Sequence, residues 1–172
     1  MLQGWDNFYF LIGSAAAGLI GLLFVVVTLT AGSERSQALR GASLYLTPTA
    51  VHFAVVLSIS AVTLMPRLAA STTAAVSGFA ALVGLANAIR ACVGIRRPRP
   101  GAEPPHWSDF WLYGVVPAAI YLGLCVASAG LWAGANWAAN AMAALLLLLL
   151  LIAINNAWDL VTWIAPKAKR DP

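Results

Sequence analysis

Six residues stand where their chemistry is unexpected: His52, Asn87, Arg90, Asn155, Asn156 and Asp159 lie within or at the edge of long uncharged runs. The runs are 7–33, 41–66, 68–89 and 110–158. A lone charge at the middle of a membrane costs at least about 2.5–3.5 kcal/mol on insertion scales, and pairing offsets that cost. Asn87 and Arg90 are three residues apart, Asn155 and Asp159 four, so each couple shares a helix face. The expectation is an Arg90–Asp159 pair inside a helical bundle, with Asn155, Asn87 and His52 completing its hydrogen bonds. Each member also has a plainer reading. Arg90 snorkels to the headgroups, His52 is a neutral histidine bonded to a neighbouring helix, and Asp159 is a carboxylate wetted from the aqueous side. Such a cluster is glue for a bundle before it is catalytic. Its alternative use is at the inner mouth of a path for a proton or small solute.

No enzyme signature accompanies these residues. The chain has no HExxH, GxSxG or GxGD and no Cys/His metal set. Its two histidines, His52 and His106, fall on a helix and in a linker. Cys92 and Cys125 are alone on separate helices and no CxxC exists, which speaks against a disulfide and against redox chemistry. No catalytic residue, metal or cofactor is expected.

The elements that position the polar residues follow from composition. The chain of 172 residues is 61% hydrophobic and 9% charged, with mean hydropathy +0.83. A soluble domain carries roughly 25% charged residues, so this chain cannot build a water-facing surface and reads as a membrane protein. A crossing needs about 20 apolar residues at about 1.5 Å each. The first three runs each hold one crossing. The fourth spans 49 residues and holds two, with "GLWAGANW" (130–137) as the turn. The expected fold is an all-α integral membrane bundle of five helices, about 8–31, 48–66, 72–95, 109–132 and 137–164. It forms one domain, residues 1–172, with "RRPRPGAEPPHW" (96–107) as a proline-rich cytoplasmic linker.

Basic residues set the orientation. Arg35, Arg40, Arg90, Arg96, Arg97, Arg99, Lys167, Lys169 and Arg170 fall on one side of a five-crossing chain, and Arg67 alone on the other. The N-terminus is therefore expected outside and the C-terminus in the cytoplasm. By the same account the net charge of +4 is a topological signal and not a nucleic-acid footprint. Arginine outnumbers lysine eight to two in an alanine- and leucine-rich chain, which fits a GC-rich bacterial genome and hence an inner (plasma) membrane. Aromatic belts are expected from Trp5, Phe8, Tyr9, Phe10, Trp132 and Trp137 outside, and from Trp107, Trp111 and Trp163 inside. Thr47-Pro48 reads as the cap and first residue of helix 2, and residues 33–46 as a short amphipathic segment at the inner surface. His52, Arg90 and Asp159 then all sit roughly 6–8 Å into the cytoplasmic leaflet. Pro117 should kink helix 4. The leucine run 145–151 suits lipid contact.

Helix 1 carries a strip nearly without side chains. Gly13, Ala17 and Gly21 recur every four residues, with Ser14 and Gly18 as an adjacent row. Such a strip lets two helices approach closely. It packs into its own bundle, or it forms a self-association seam or a pore-lining face.

Two end segments, "WDNFYFLIGSAAAGLIGLLFVVVTL" (5–29) and "NNAWDLVTWI" (155–164), are familiar together. Through Trp5, Phe8, Tyr9, Gly21, Leu22, Phe24, Val25, Asn156, Ala157 and Trp158 the chain resembles an uncharacterised family of small bacterial multi-pass inner-membrane proteins. Those proteins open on an aromatic cluster, a small-residue strip and GLxFV, and close on an NAW-type helix. Some carry the automatic label of modulator of a membrane-bound AAA protease. The resemblance covers the two end helices and implies a family fold and little of function. The functional expectation is a non-enzymatic membrane protein that acts by helix packing, by oligomeric assembly through helix 1, or by docking to another membrane complex. The alternative is an oligomeric channel or transporter for a proton or small solute. Its partners are the lipid bilayer and membrane proteins, not nucleic acid.

Overall fold

The computed structural model describes residues 4–30, 43–96 and 107–164. Among them all regular structure is helical: α1 Asp6–Thr30, α2 Ser43–Thr63, α3 Ala70–Arg96, α4 Trp107–Trp132 and α5 Ala138–Ile164. Each helix contains a stretch long and apolar enough to cross a membrane. Backbone groups in hydrocarbon find no water, so a helix that bonds itself is what such sequences must form. The five expected helices are thus present, and their bounds agree to within a few residues except at the start of α2.

α2 packs on α1, α3 and α5, α3 packs on α4, α4 on α5, and α5 also on α1. The helices α2, α3, α4 and α5 form a four-membered ring, against which α1 leans in the groove between α2 and α5. α3 and α5 lie across the ring from each other and share no packed seam. Close approaches fix the directions. Gly13 meets Ser60, Gly78 meets Ser128, Gly84 meets Tyr121, Gly123 meets Leu145 and Gly130 meets Ala138. Sequential helices therefore run antiparallel, and α1, α3 and α5 share one direction. The end where those three begin is called the near end below, and the other the far end.

Two tight turns close the near end. In the α4–α5 turn, Gly134 takes φ 76°. The Ala135 N–H bonds the Gly130 carbonyl at 2.8 Å and the Gly134 N–H bonds that of Leu131 at 3.2 Å, a Schellman cap. The indole of Trp137 then lies over Gly130, where a Cβ would sit 2.8 Å from Cη2. In the α2–α3 turn the left-handed residue is Arg67, at φ 61°, directly after Pro66.

The core is lined by Tyr9, Phe53, Ile59, Tyr121, Leu124 and Met142, all fully buried. Several expectations change here. Tyr9 is core rather than belt, its ring edge-on to Phe8 at 5.4 Å, while Phe10, Trp132 and Trp137 are exposed. Trp107 and Trp111 are exposed at the far end. The leucine run is not uniformly lipid-facing: Leu146, Leu149 and Leu150 are buried and Leu147, Leu148 and Leu151 exposed, as a 3.6-residue period requires of a helix with one packed side. Residues 33–42 of the expected amphipathic segment, residues 97–106 of the linker with His106, the C-terminal basic residues and the Trp163 side chain lie outside the described residues, while residues 43–46 belong to α2.

α2 begins at Ser43, so Pro48 lies inside the helix rather than at its first position. The missing N–H of Pro48 falls close enough to the start that little of the ladder is lost. The earlier start moves His52 from the edge of the span to its middle, nine residues from one end of α2 and eleven from the other.

Candidate functional site

His52 is fully buried, and the Tyr121 hydroxyl of α4 lies 2.7 Å from its Nδ1. The rings are 5.5 Å apart and tilted by 48°. The tautomer follows from counting. If Tyr121 donates to Nδ1, one group is left unmatched, the Nε2–H. If Nδ1 donates instead, both the tyrosine proton and the Nε2 lone pair are stranded. A stranded buried polar group costs about 1–3 kcal/mol, so the first arrangement wins. Tyr121 reaches His52 because α3 carries Gly84 beneath its ring, where any Cβ would collide with the ring atoms. Three helices thus meet at one contact near mid-span.

A second contact ties α4 to α5. The turn Trp111–Val115 of α4 is π-helical, with the Val116 N–H bonded to the Trp111 carbonyl five residues back. One residue further the same pattern would join the N–H of residue 117 to the Leu112 carbonyl, but residue 117 is proline and has no N–H. The freed carbonyl is met by Asn156 of α5, whose Nδ2 donates to it at 3.2 Å. Tyr113 returns the contact, its hydroxyl donating to the Asn156 carbonyl at 3.1 Å. The wide turn is the structural response to Pro117. It lies directly before the expected kink residue, where a proline ring would clash with a regular preceding turn. Gly114 lets this turn lie on α3, since a Cβ there would strike the Cys92 sulfur. Cys92 and Cys125 are both free thiols.

The remaining polar residues do not join these contacts. Arg90 and Asp159 are exposed on α3 and α5, which do not pack together, and no ion pair joins them among the described residues. The expected buried pair is therefore absent from the single chain. At about 100° per residue, Arg90 lies about 200° round α3 from the buried Ala88, on the side away from the ring. Asn155 is exposed one turn from Asp159 and donates to it at 3.3 Å, and Asn87 is half-buried. The six residues expected to cluster are dispersed: His52 to the bundle centre, Asn156 to the α4–α5 seam, and the others to or toward the outer surface. Sequence reasoning missed Tyr113 and Tyr121. Their signal was present, because a tyrosine deep in an apolar span must find a partner for its hydroxyl.

The small-residue strip of α1 divides in two. Gly13 faces α2, where a Cβ would lie 2.9 Å from that of Ser60. Ser14, Ala17, Gly18 and Gly21 are exposed, and nothing lies within 4 Å of a Cβ built on Gly18 or Gly21. Phe10 and Leu11 stand exposed on one side of this bare patch along the helix, and Leu22, Phe24 and Val25 on the other. Neither the family models, nor the curated proteins, nor the solved structures contain a match to this chain.

Proposed function

We propose that this chain is a non-enzymatic protein of a bacterial inner membrane that acts by assembly in the plane of the bilayer, docking a transmembrane helix on the outward face of α1. The observation that carries this reading is the bare patch Ser14, Ala17, Gly18 and Gly21, walled by exposed bulky residues and unused by the chain's own packing. Lipid tails are as apolar as leucine, so helices in a bilayer associate by close backbone approach rather than by the hydrophobic effect, and small residues permit that approach. The far end, which carries Arg90 and Arg96, is on this reading the cytoplasmic end, with the N-terminus outside. A conduction pathway has less to stand on. The polar residues that would line it are dispersed, and His52 and Asn156 are engaged in contacts between helices.

A photo-cross-linking amino acid placed at Ala17 of the full chain in native membranes tests the proposal. A discrete protein adduct is expected, and Gly18→Leu with Gly21→Leu should abolish it while leaving thermal stability unchanged. Adducts to lipid alone would overturn it.

A further inference from the structure

The seam between α3 and α4 opens outward into a groove of about 400 Å³ in the near half of the bundle. Its floor is made of small residues, Ala74, Gly78 and Ala129, and two exposed rings, Phe79 and Trp132, stand along it. Small residues alone would show no more than close helix packing. Ser128 adds a chemical demand. It lines the same groove with 4% of its surface exposed, and its hydroxyl has no hydrogen-bond partner. Across the seam is Gly78, where a Cβ would lie 3.5 Å from that of Ser128. Hydroxyls elsewhere in the bundle are settled locally: Ser58 and Thr63 of α2 each donate at 2.7 Å to the carbonyl four residues back. Ser128 makes no such bond. A stranded hydroxyl in an apolar span costs free energy, and an acceptor in the groove would remove that cost. Rotation about one bond is all that redirects the hydroxyl.

The dimensions of the groove select its occupant. It runs from Ala74 to Leu82 on α3, about 12 Å, and from Cys125 to Trp132 on α4, about 10 Å. The hydrocarbon of one leaflet is about 15 Å deep, so the groove has the length of an acyl chain within one leaflet. A 12 Å length of helix, about 10–12 Å across, would occupy roughly 1,000 Å³, more than twice what the groove holds. Trp132 ends α4 at the near end, and tryptophan sits at headgroup level. Ser128 is four residues deeper, about 6 Å, where ester carbonyls join a lipid's head to its chains. We infer that the groove binds one acyl chain of a diacyl phospholipid from the leaflet at the near end, with the Ser128 hydroxyl donating to its ester carbonyl. The carbonyl only accepts, so the serine is the donor. This site lies on the α3–α4 face, separate from docking on α1, and survives if that reading fails.

The test weighs the full chain by native mass spectrometry from detergent micelles that contain phosphatidylcholine. Diester and diether forms of the lipid are compared, since they differ in the ester carbonyls alone. The wild type is expected to hold one diester lipid per chain and to prefer it to the diether by about three- to tenfold, the worth of one neutral hydrogen bond. Ser128→Ala should hold the two alike. Ala75→Phe with Ala129→Phe fills the groove from two exposed positions and should lose both lipids with an unchanged thermal melt. Gly18→Leu with Gly21→Leu should retain lipid as the wild type does. Equal retention of the two lipids by the wild type, or a lipid kept by the filled variant, overturns the inference. Wild-type dimers that the filled variant breaks would also overturn it and assign the groove to a helix of a second copy. If the filled variant does not fold, the wild type decides through Cys125, a half-buried free thiol in the groove. Added diester lipid should slow its alkylation by N-ethylmaleimide several-fold and leave Cys92 unaffected, and an unchanged rate at Cys125 overturns the inference.

Discussion

The Tyr121 hydroxyl donates to Nδ1 of His52 across 2.7 Å at the middle of the bundle, linking α4 to α2. Neither residue is exposed, so water cannot replace either partner of this bond. Tyr121→Phe is expected to destabilise the fold by about 0.5–2 kcal/mol, the lower part of that range being usual for side-chain hydrogen bonds inside membranes. In a His52→Leu background the same change should cost little or be favourable, because the tyrosine hydroxyl is already stranded there. Reversible unfolding in mixed micelles measures both losses, and equal losses in the two backgrounds would break the proposed coupling.

Glycines in this bundle should separate cleanly by what lies over them. A Cβ at Gly84 runs into the Tyr121 ring, whereas one at Gly21 meets open space. Gly84→Ala is expected to cost about 1–3 kcal/mol, the usual cost of overpacking, and to disturb the His52 contact with it. Gly21→Ala should leave the monomer unchanged or stabilise it, since alanine is the better helix former. Thermal melts of the two variants side by side check the contrast.

Much of this architecture is legible without coordinates, for identifiable reasons. The four uncharged runs and the Gly-Asn turn at 130–137 mark five spans because a bilayer leaves the backbone a single economical choice there. Pro48 misled because a proline at a first helical position and one a turn later look alike in sequence, and the error displaced His52 from mid-span to its edge. The polar cluster failed for a different reason. Residue counts from expected helix ends fix neither depth nor angular position, because both depend on which helices touch and in what register. The contacts of Cys92 with Gly114 and of Asn156 with Leu112 put Asp159 nearer the far end than Arg90, and the two lie on different sides of the ring. The Asn156 contact was beyond reach because it answers a backbone carbonyl, which no side-chain pattern reveals.

The two near-end turns carry opposite lessons about left-handed backbone. Gly134 at φ 76° suits glycine, and Gly134→Ala should cost about 1 kcal/mol. Arg67 at φ 61° holds a side chain where few residues sit comfortably. Arg67→Gly is expected to relieve that strain and stabilise the fold by up to about 1 kcal/mol, less the greater freedom of glycine in the unfolded chain. A lower melting temperature for Arg67→Gly would show that the arginine side chain contributes more than its backbone costs.

Pro117 and Asn156 should behave as a coupled pair although neither touches the other's side chain in any described hydrogen bond. The proline withholds the N–H that the Leu112 carbonyl would otherwise receive, and the Asn156 amide supplies a substitute at 3.2 Å. Asn156→Leu leaves that carbonyl without a partner in a part-buried seam, a loss of about 1–3 kcal/mol. Pro117→Ala restores an N–H to the helix, which can then bond within the turn. Asn156→Leu should therefore cost less in the Pro117→Ala background than in the wild type. The four proteins of this cycle, unfolded under one condition, give the coupling directly. A value indistinguishable from zero would mean that the π-turn does not depend on the asparagine, and that α4 holds its wide turn by packing on Cys92 and α5 alone.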